Sequence, residues 1–460
     1  MFRRLALSIF MLLYIALGCA NQAIQPTATP LITIENTPTT AVIETLLPTA
    51  TVTPLPPPTA TPTPTVPAGS LAKPQLSEFI VTFWWPPAIT QANLKQIADG
   101  GYNLVLIYPI APSYGMKLLN WAQELCLKVM LTDPNISPYR VNLEAEITEL
   151  TDDFKNHPAI WGYYVIDEPS AKQFADLARL NGILLQNDPL HFPYINLFPN
   201  YAVASQLDTP DYATYVRKFI DTVKPSILSY DHYALLDTRD RPGYFANLEI
   251  VRTEALRAGI PFMQIILATP FSGVRDPSAA DLRYQVYTTL AYGAKGISYF
   301  TYAVPDASFG DGLLDREGVP TVKWYAAREI NWEVRHLGPW LLTLRSTGVF
   351  YAPSAPELEC QALTGVGVVI KASGGRLQVG EFIDAENHTW VMVVNLDRTQ
   401  AITAHLLLRA PVSQVREVDK TTGQLVPLAC NDGVDCQSTA EGYQLTLDLA
   451  IADGRLLRLD

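Results

Sequence analysis

Histidine and cysteine are scarce in this chain, six and five residues in 460. They are also scattered, so no His or Cys group has metal-site spacing and no metal is expected. No Ser or Cys stands beside a base in the manner of an activated nucleophile. Charge is thin too, at 17% of residues, and acidic in balance: 33 Lys and Arg face 45 Asp and Glu, a formal −12. With no long basic cluster, a nucleic-acid partner is excluded. A glycine-rich phosphate turn is missing after the first strand, where Trp84-Trp85-Pro86-Pro87 stands instead. That disfavours a dinucleotide fold, and no cofactor is expected. A neutral polyhydroxylated ligand, such as a glycan, fits this balance.

Long hydrophobic runs are nearly absent as well. One lies at the start, Leu5 to Leu17, behind Arg3 and Arg4. It is short for a membrane span and reads as an export signal. It ends in Ala16-Leu17-Gly18-Cys19, which resembles the bacterial lipoprotein box. The resemblance implies lipidation of Cys19 and an extracytoplasmic chain held to the cell envelope by lipid alone; simple secretion after Gly18 is the alternative. Residues 20–70 contain no Lys, Arg, Trp, Phe or Tyr and are dominated by Pro and Thr. Such a stretch has nothing to bury and reads as an extended tether. Of the other cysteines, Cys430 and Cys436 flank a tight segment suited to a local disulfide in an oxidising compartment, while Cys126 and Cys360 read as buried thiols.

What is present begins at about residue 71. Apolar runs alternate with amphipathic ones up to about residue 345. The strand-like runs are Phe79–Trp85, Leu104–Tyr108, Lys128–Thr132, Ile160–Glu168, Pro193–Phe198, Ile227–Tyr233, Phe262–Leu267 and Ile297–Tyr302. Helical patterns fall between them, as at Gln91–Asp99, Leu143–Asn156, Tyr212–Val223 and Leu282–Tyr292, with a last one near Val322–His336. Eight such units predict a (β/α)8 TIM barrel. Residues 346–460 show short alternating runs with turns: Gly365–Lys371, Leu377–Phe382, Thr389–Asn395, Ile402–Leu408, Tyr443–Leu449 and Arg455–Leu459. They predict a C-terminal antiparallel β-sandwich.

In such a barrel the chemistry sits at the C-terminal ends of the strands. Those ends carry Trp84 and Trp85, Tyr108, Asp133 and Asn135, Asp167 and Glu168, Asn196, Asp231, His232 and Tyr233, Gln264, and Tyr302. Rings stack on sugar C–H faces, and carboxylates and amides bind hydroxyls. The most informative segment is His157-Pro158-Ala159-Ile160-Trp161-Gly162-Tyr163-Tyr164-Val165-Ile166-Asp167-Glu168-Pro169-Ser170: an apolar strand ending in two acids and a Pro. It resembles the fourth-strand motif of clan A retaining glycosidases, including family 42 β-galactosidases, where such a strand ends in Asn-Glu-Pro and the Glu is the general acid/base. The resemblance implies that role for Glu168. Asp167 stands where the family has the Asn that hydrogen-bonds the sugar 2-hydroxyl.

The runs Leu282–Tyr287, Leu290–Phe300 and Gly312–Thr321 look like the last helix, strand and loop of family 42-like barrels. The resemblance covers about residues 79–345. The C-terminal part resembles the accessory β domain of many glycosidases.

One departure stands out. The family's nucleophilic Glu should end strand seven, yet Phe262-Met263-Gln264-Ile265-Ile266-Leu267-Ala268-Thr269-Pro270 has no carboxylate. Asp231 is the expected replacement, ionised, with Asp306, Asp311, Asp315 and Asp133 behind it. Glu168, kept protonated by neighbours such as Tyr164 and Trp161, would protonate the glycosidic oxygen. Trp84, Trp85, Tyr233 and Tyr302 would wall the subsites. The expected function is a glycoside hydrolase on an extracellular oligo- or polysaccharide. The alternative is a carbohydrate-binding surface lipoprotein that has lost catalysis.

Overall fold

The computed structural model describes residues 73–108, 112–358, 360–409, 411–429 and 435–460. Cys19, the Pro/Thr-rich tether and Cys430 lie outside the described residues.

Eight parallel strands form one sheet in the order β1-β8-β7-β6-β5-β4-β3-β2. They are β1 (Ile80–Phe83), β2 (Leu104–Ile107), β3 (Lys128–Leu131), β4 (Ile160–Asp167), β5 (Phe192–Leu197), β6 (Leu228–Asp231), β7 (Phe262–Leu267) and β8 (Gly296–Phe300). A helix follows each strand: α1 (Gln91–Asp99), α2 (Pro112–Glu124), α3 (Leu143–Phe154), α4 (Phe174–Asn187), α5 (Tyr212–Val223), α6 (Tyr244–Ala258), α7 (Ala279–Ala291) and α8 (Val322–Thr343). The sheet closes into a barrel at the β1–β2 seam. There the Asn103 amide N–H donates to Val81 O at 3.0 Å, and Thr82 Oγ1 donates to Leu104 O at 2.9 Å.

Two apolar layers hold the barrel. Its inside is filled by Ile80, Leu104, Leu106, Met130, Trp161, Phe192, Tyr194, Ile227 and Met263. The opposite strand faces pack with the helices, for example Val81, Val105, Val129, Tyr163 and Ile195 against Leu94, Leu118, Leu177 and Phe219. Both strand faces are therefore covered, which is why the strands read as continuous apolar runs. Helix starts are fixed locally: Thr90, Asp211 and Ser278 accept the backbone N–H groups of Asn93, Thr214 and Asp281.

Gly162 in β4 allows the closest approach in this region. A Cβ there would lie 2.2 Å from Phe192 O and 3.0 Å from Phe192 N, backbone atoms of the neighbouring strand. Gly162→Ala must push β4 from β5, so it should cost about 2–3 kcal/mol, seen as a lower denaturant midpoint at unchanged slope. An unchanged midpoint would show that the two strands part freely.

The C-terminal region follows as two sheets, antiparallel except where Gln361–Ala362 pairs in parallel with Arg345–Ala352. One has seven strands in the order Gln361–Ala362, Arg345–Ala352, Leu377–Ile383, Thr389–Asn395, Gly454–Leu459, Val415–Val418 and Leu425–Pro427. The other has four: Val369–Ser373, Ile402–Leu408, Gly442–Leu449 and Cys436–Thr439. Their inner faces meet in a core that includes Val379, Val391, Val393, Leu406, Leu447 and Leu457. The sandwich is fastened to α7 and α8. Arg283 pairs with Glu333 at 2.7 Å and Asp453 at 2.9 Å, and Trp340 packs on Trp390 at 5.3 Å.

Three expectations need correction. Strands β1, β6 and β8 stop two residues before their apolar runs do, because Trp84-Trp85, His232-Tyr233 and Thr301-Tyr302 already belong to the loops at the barrel mouth. In the sandwich, the strand expected from Gly365 starts at Val369, since Gly365 itself turns with φ +76°. Cys126 is an exposed free thiol in a left-handed turn after α2, while Cys360 is free and half-buried. Cys436 is disulfide-bonded.

Candidate active site

The mouth of the barrel is organised by Asn196 at the end of β5. Its Oδ1 accepts from Ser229 Oγ at 3.0 Å, which fixes which way the amide points. Its Nδ2 therefore faces two carboxyls, Asp167 Oδ1 at 3.0 Å and Asp231 Oδ1 at 3.1 Å. Because both oxygens touch one nitrogen, they lie at most about 6 Å apart, the sum of the two distances. Ser229 also meets Tyr194 Oη at 2.7 Å, and the Trp84 side chain hydrogen-bonds Tyr194. A chain of polar groups thus runs from Trp84 through Tyr194, Ser229 and Asn196 to the two aspartates. Networks of this kind hold side chains in a single arrangement.

Asp167 faces inward because of a backbone irregularity. Trp161 and Tyr164 point into the barrel, and Tyr163 and Val165 point to the helices. Simple alternation would then turn Ile166 inward and Asp167 outward. A register shift between Tyr164 and Ile166, opposite β5, reverses the phase and delivers Asp167 to the interior. Glu168 follows with φ +45°, and its N–H donates to Asn196 O at 2.9 Å. The left-handed turn breaks strand alternation, so two successive acids can serve one site. Glu168 is half-buried and within electrostatic reach of Tyr164, Tyr201, Tyr212 and Tyr233.

The two aspartates differ in exposure. Asp231 is 3% exposed at the floor, whereas Asp167 is open to solvent above it. Both carboxyls are pushed upward. Loss of hydration among the crowded groups of the mouth is the main cause for each, even though part of Asp167 reaches solvent, and the charge of Asp167 adds to it at Asp231. The Asn196 amide opposes the shift at both. Asp231 is raised further, so of the two it holds its proton more tightly. Against the expectation of an ionised Asp231, burial beside another acid favours its protonated form.

Of the expected wall residues, Trp84 is at the site and makes an edge contact with Tyr164 at 5.5 Å. Trp85 and Tyr108 are each 43% exposed, and Tyr108 lies near Tyr164. Tyr233 packs on Phe300 and Phe271 and lies near Asp231 and Glu168.

Three others face away. Gln264 accepts from Thr289 on α7, because its place in β7 points to the helices. Tyr302 is fully buried on the outer side; it donates to Gln96 Oε1 at 3.2 Å and accepts from Trp324 Nε1 at 3.0 Å. His232 is fully buried between the rings of Tyr201 and Tyr244, and its Nδ1 contacts Asn247 Oδ1 at 3.1 Å. Burial pushes its pKa down to about 3, so it is neutral at working pH and serves to hold the mouth loops.

Tyr201 and Arg241 were not anticipated from sequence. The Arg241 guanidinium lies 4.0 Å from the centre of the Tyr201 ring and donates from Nε to Tyr233 O at 3.1 Å, clamping the loops after β5 and β6. Their only sequence signal was position, since both follow strand ends.

Three of the four fallback acids are engaged elsewhere, and Asp311 is exposed. Asp133 accepts from the Asn135 N–H, Asp306 from Ser308, and Asp315 from the N–H groups of Glu317 and Val319. In the sandwich, Asp384, Glu386 and His388 cluster, with Asp384 ordering the turn by accepting from the N–H groups of both neighbours and from Trp390 Nε1.

No protein-family model matches the sequence, and no curated protein matches it at a significant level. The fold does have solved counterparts. A glycoside hydrolase family 5 structure from Bacteroides vulgatus aligns at a TM-score of 0.53 and 12% identity, over 83% of this chain and 88% of that one. Weaker overlaps include a GH27 β-L-arabinopyranosidase from Geobacillus stearothermophilus (TM-score 0.44, 11% identity, 85% and 97% of the chains) and a GH51 arabinofuranosidase from Xanthomonas axonopodis pv. citri (TM-score 0.41, 8% identity, 84% and 93%). The shared barrel shows kinship of fold.

Proposed function

We propose that this chain is a glycoside hydrolase whose catalytic carboxyls are Glu168 and the Asp167–Asp231 pair. The observation that carries the reading is the Asn196 bridge between two aspartates at the mouth of a (β/α)8 barrel, with Glu168 next in the chain to one of them. Glycosidic cleavage needs one carboxyl that holds a proton and another that carries charge beside an oxocarbenium-like centre. Glu168 protonates the departing glycosidic oxygen. The charge sits on Asp167, the solvent-open member of the pair, and the proton retained on Asp231 below keeps the pair from becoming doubly charged. Trp84, Tyr164, Tyr108 and Tyr233 offer ring surfaces to the sugar.

The test is a screen of aryl glycosides and of plant and microbial glycans, run beside Glu168→Gln and Asp167→Asn. Turnover by the parent that both substitutions remove supports the reading. Glycan binding without turnover would make the chain a carbohydrate-binding protein with an inactive cleft. Neither binding nor turnover would end the proposal.

The export reading completes it: the enzyme works outside the cytoplasm, tethered through a lipid on Cys19. Expressed in bacteria with labelled palmitate, the chain should take up label and Cys19→Ser should not. Label in both would remove the anchor.

A further inference from the structure

A ring-lined hollow lies on the outside of the barrel. A hollow of about 600 Å³ runs between α1 and α8, lined by Gln96, Asp99, Pro320, Trp324, Tyr325, Arg328 and Trp332. That size falls within the ordinary range for ligand sites. Two of its rings are unusually open for their size, Tyr325 at 55% and Trp332 at 41% exposed. They stand seven residues apart on α8, so they share one helix face and are offset by about 10 Å along the axis.

Both rings are held. Trp332 Nε1 donates to Asp99 O at 3.3 Å, and the Arg335 guanidinium lies 5.7 Å from its ring centre. Tyr325 meets Trp324 edge-on at 5.2 Å. Trp324 in turn is fixed through Tyr302 to Gln96, which explains why Tyr302 is buried here and not at the barrel mouth. Pre-set rings lose little freedom when a ligand lands on them.

The lining chemistry selects the occupant. Asp99 is ion-paired with Lys95 at 2.7 Å, which leaves Arg328 in the lining and Arg335 beside Trp332, a modest positive charge that repels cations without forming a basic cluster. Two exposed rings on one helix face, flanked by an amide, a carboxylate and a guanidinium, match a neutral chain of sugars, whose C–H faces would lie on the rings and whose hydroxyls would meet the polar groups. The ring offset is about that of two sugar units along a chain. α8 begins on the mouth side of the barrel, so a polymer held along it is kept close to the catalytic end.

We infer that the α1–α8 hollow is a second binding site for a neutral polysaccharide chain, separate from the barrel mouth. Single sugars and aryl glycosides are too short to span it.

The test is native-gel retardation of the full chain by soluble xylan, glucomannan, mixed-linkage β-glucan and galactan, one polymer per gel. At least one polymer should retard the protein, and Tyr325→Ala and Trp332→Ala should each weaken that retardation at least tenfold. Glu168→Gln should be retarded like the parent, which separates this site from the hydrolase reading. Turnover of any aryl glycoside the parent cleaves should be unchanged in Tyr325→Ala, a surface substitution that also guards against misfolding of the Trp332 variant. No retardation by any polymer, or equal retardation of parent and both ring variants, overturns the inference. So does a concentration-dependent dimer in sedimentation that the same substitutions break, which would make the face a contact between copies.

Discussion

Glu168→Gln should lower turnover of a substrate with a poor leaving group by roughly 10³-fold, within the range that a positioned proton donor supplies. The size of the loss should depend on the leaving group. A sugar or alkyl alcohol cannot depart without a proton, so it feels the full effect. A dinitrophenolate departs unaided, so cleavage of its glycoside should fall far less. In a retaining mechanism the same carboxyl later draws a proton from water, so a nucleophile that needs no base, such as azide, should restore turnover of the variant and yield the glycosyl azide. The structural basis is local. The left-handed turn at Glu168 sets its direction apart from strand alternation, and Gln can keep the same backbone conformation and volume. A uniform loss across leaving groups, or no loss, would show that this side chain is not the proton donor.

Much of the scaffold was readable in the sequence, for a physical reason. Strands covered on both faces must be apolar throughout, and helices with one covered face must repeat near 3.6, so alternation of the two patterns is visible without a structure. The helices Gln91–Asp99 and Tyr212–Val223 and the strands Thr389–Asn395 and Ile402–Leu408 even have the bounds their patterns suggest. The site was less legible because direction is not a pattern. Gln264 and Tyr302 have the chemistry of ligand groups, and only their hydrogen bonds to Thr289 on α7 and Gln96 on α1 show that they face helices. The reverse holds at Asp167. The irregularity between Tyr164 and Ile166 turns it inward, and nothing in Tyr164-Val165-Ile166 announces the shift. Asn196 was legible as a strand-end amide, but its role as the bridge between two acids needs the third dimension.

That bridge leads to the second large effect, which falls on stability. Asp231 is pushed up to about 8 from an ordinary 3.8, first by burial and then by Asp167. An unfolded chain releases this proton near pH 4, while the folded chain keeps it until about pH 8. Between those values the folded state binds more protons, so rising pH weakens it, by up to about 1.4 kcal/mol per pH unit, and the loss is complete above the folded value. Asparagine at 231 has nothing to titrate and still offers Oδ1 to the Asn196 amide. Asp231→Asn should therefore match the parent near pH 4 and exceed it by about 5 kcal/mol at pH 8, with the Asp231 share of the parent's decline abolished. Its pH–activity profile should also lose the inflection near pH 8. Denaturant unfolding at pH 4, 6 and 8 reads the stability directly. Parent stability that stays level from pH 4 to 8, or a variant no firmer than the parent at pH 8, would mean that Asp231 is ionised in the folded protein. The reasoning then reaches function: a surplus acid retained at a cost in stability is characteristic of a site kept for chemistry, since packing alone would favour the amide.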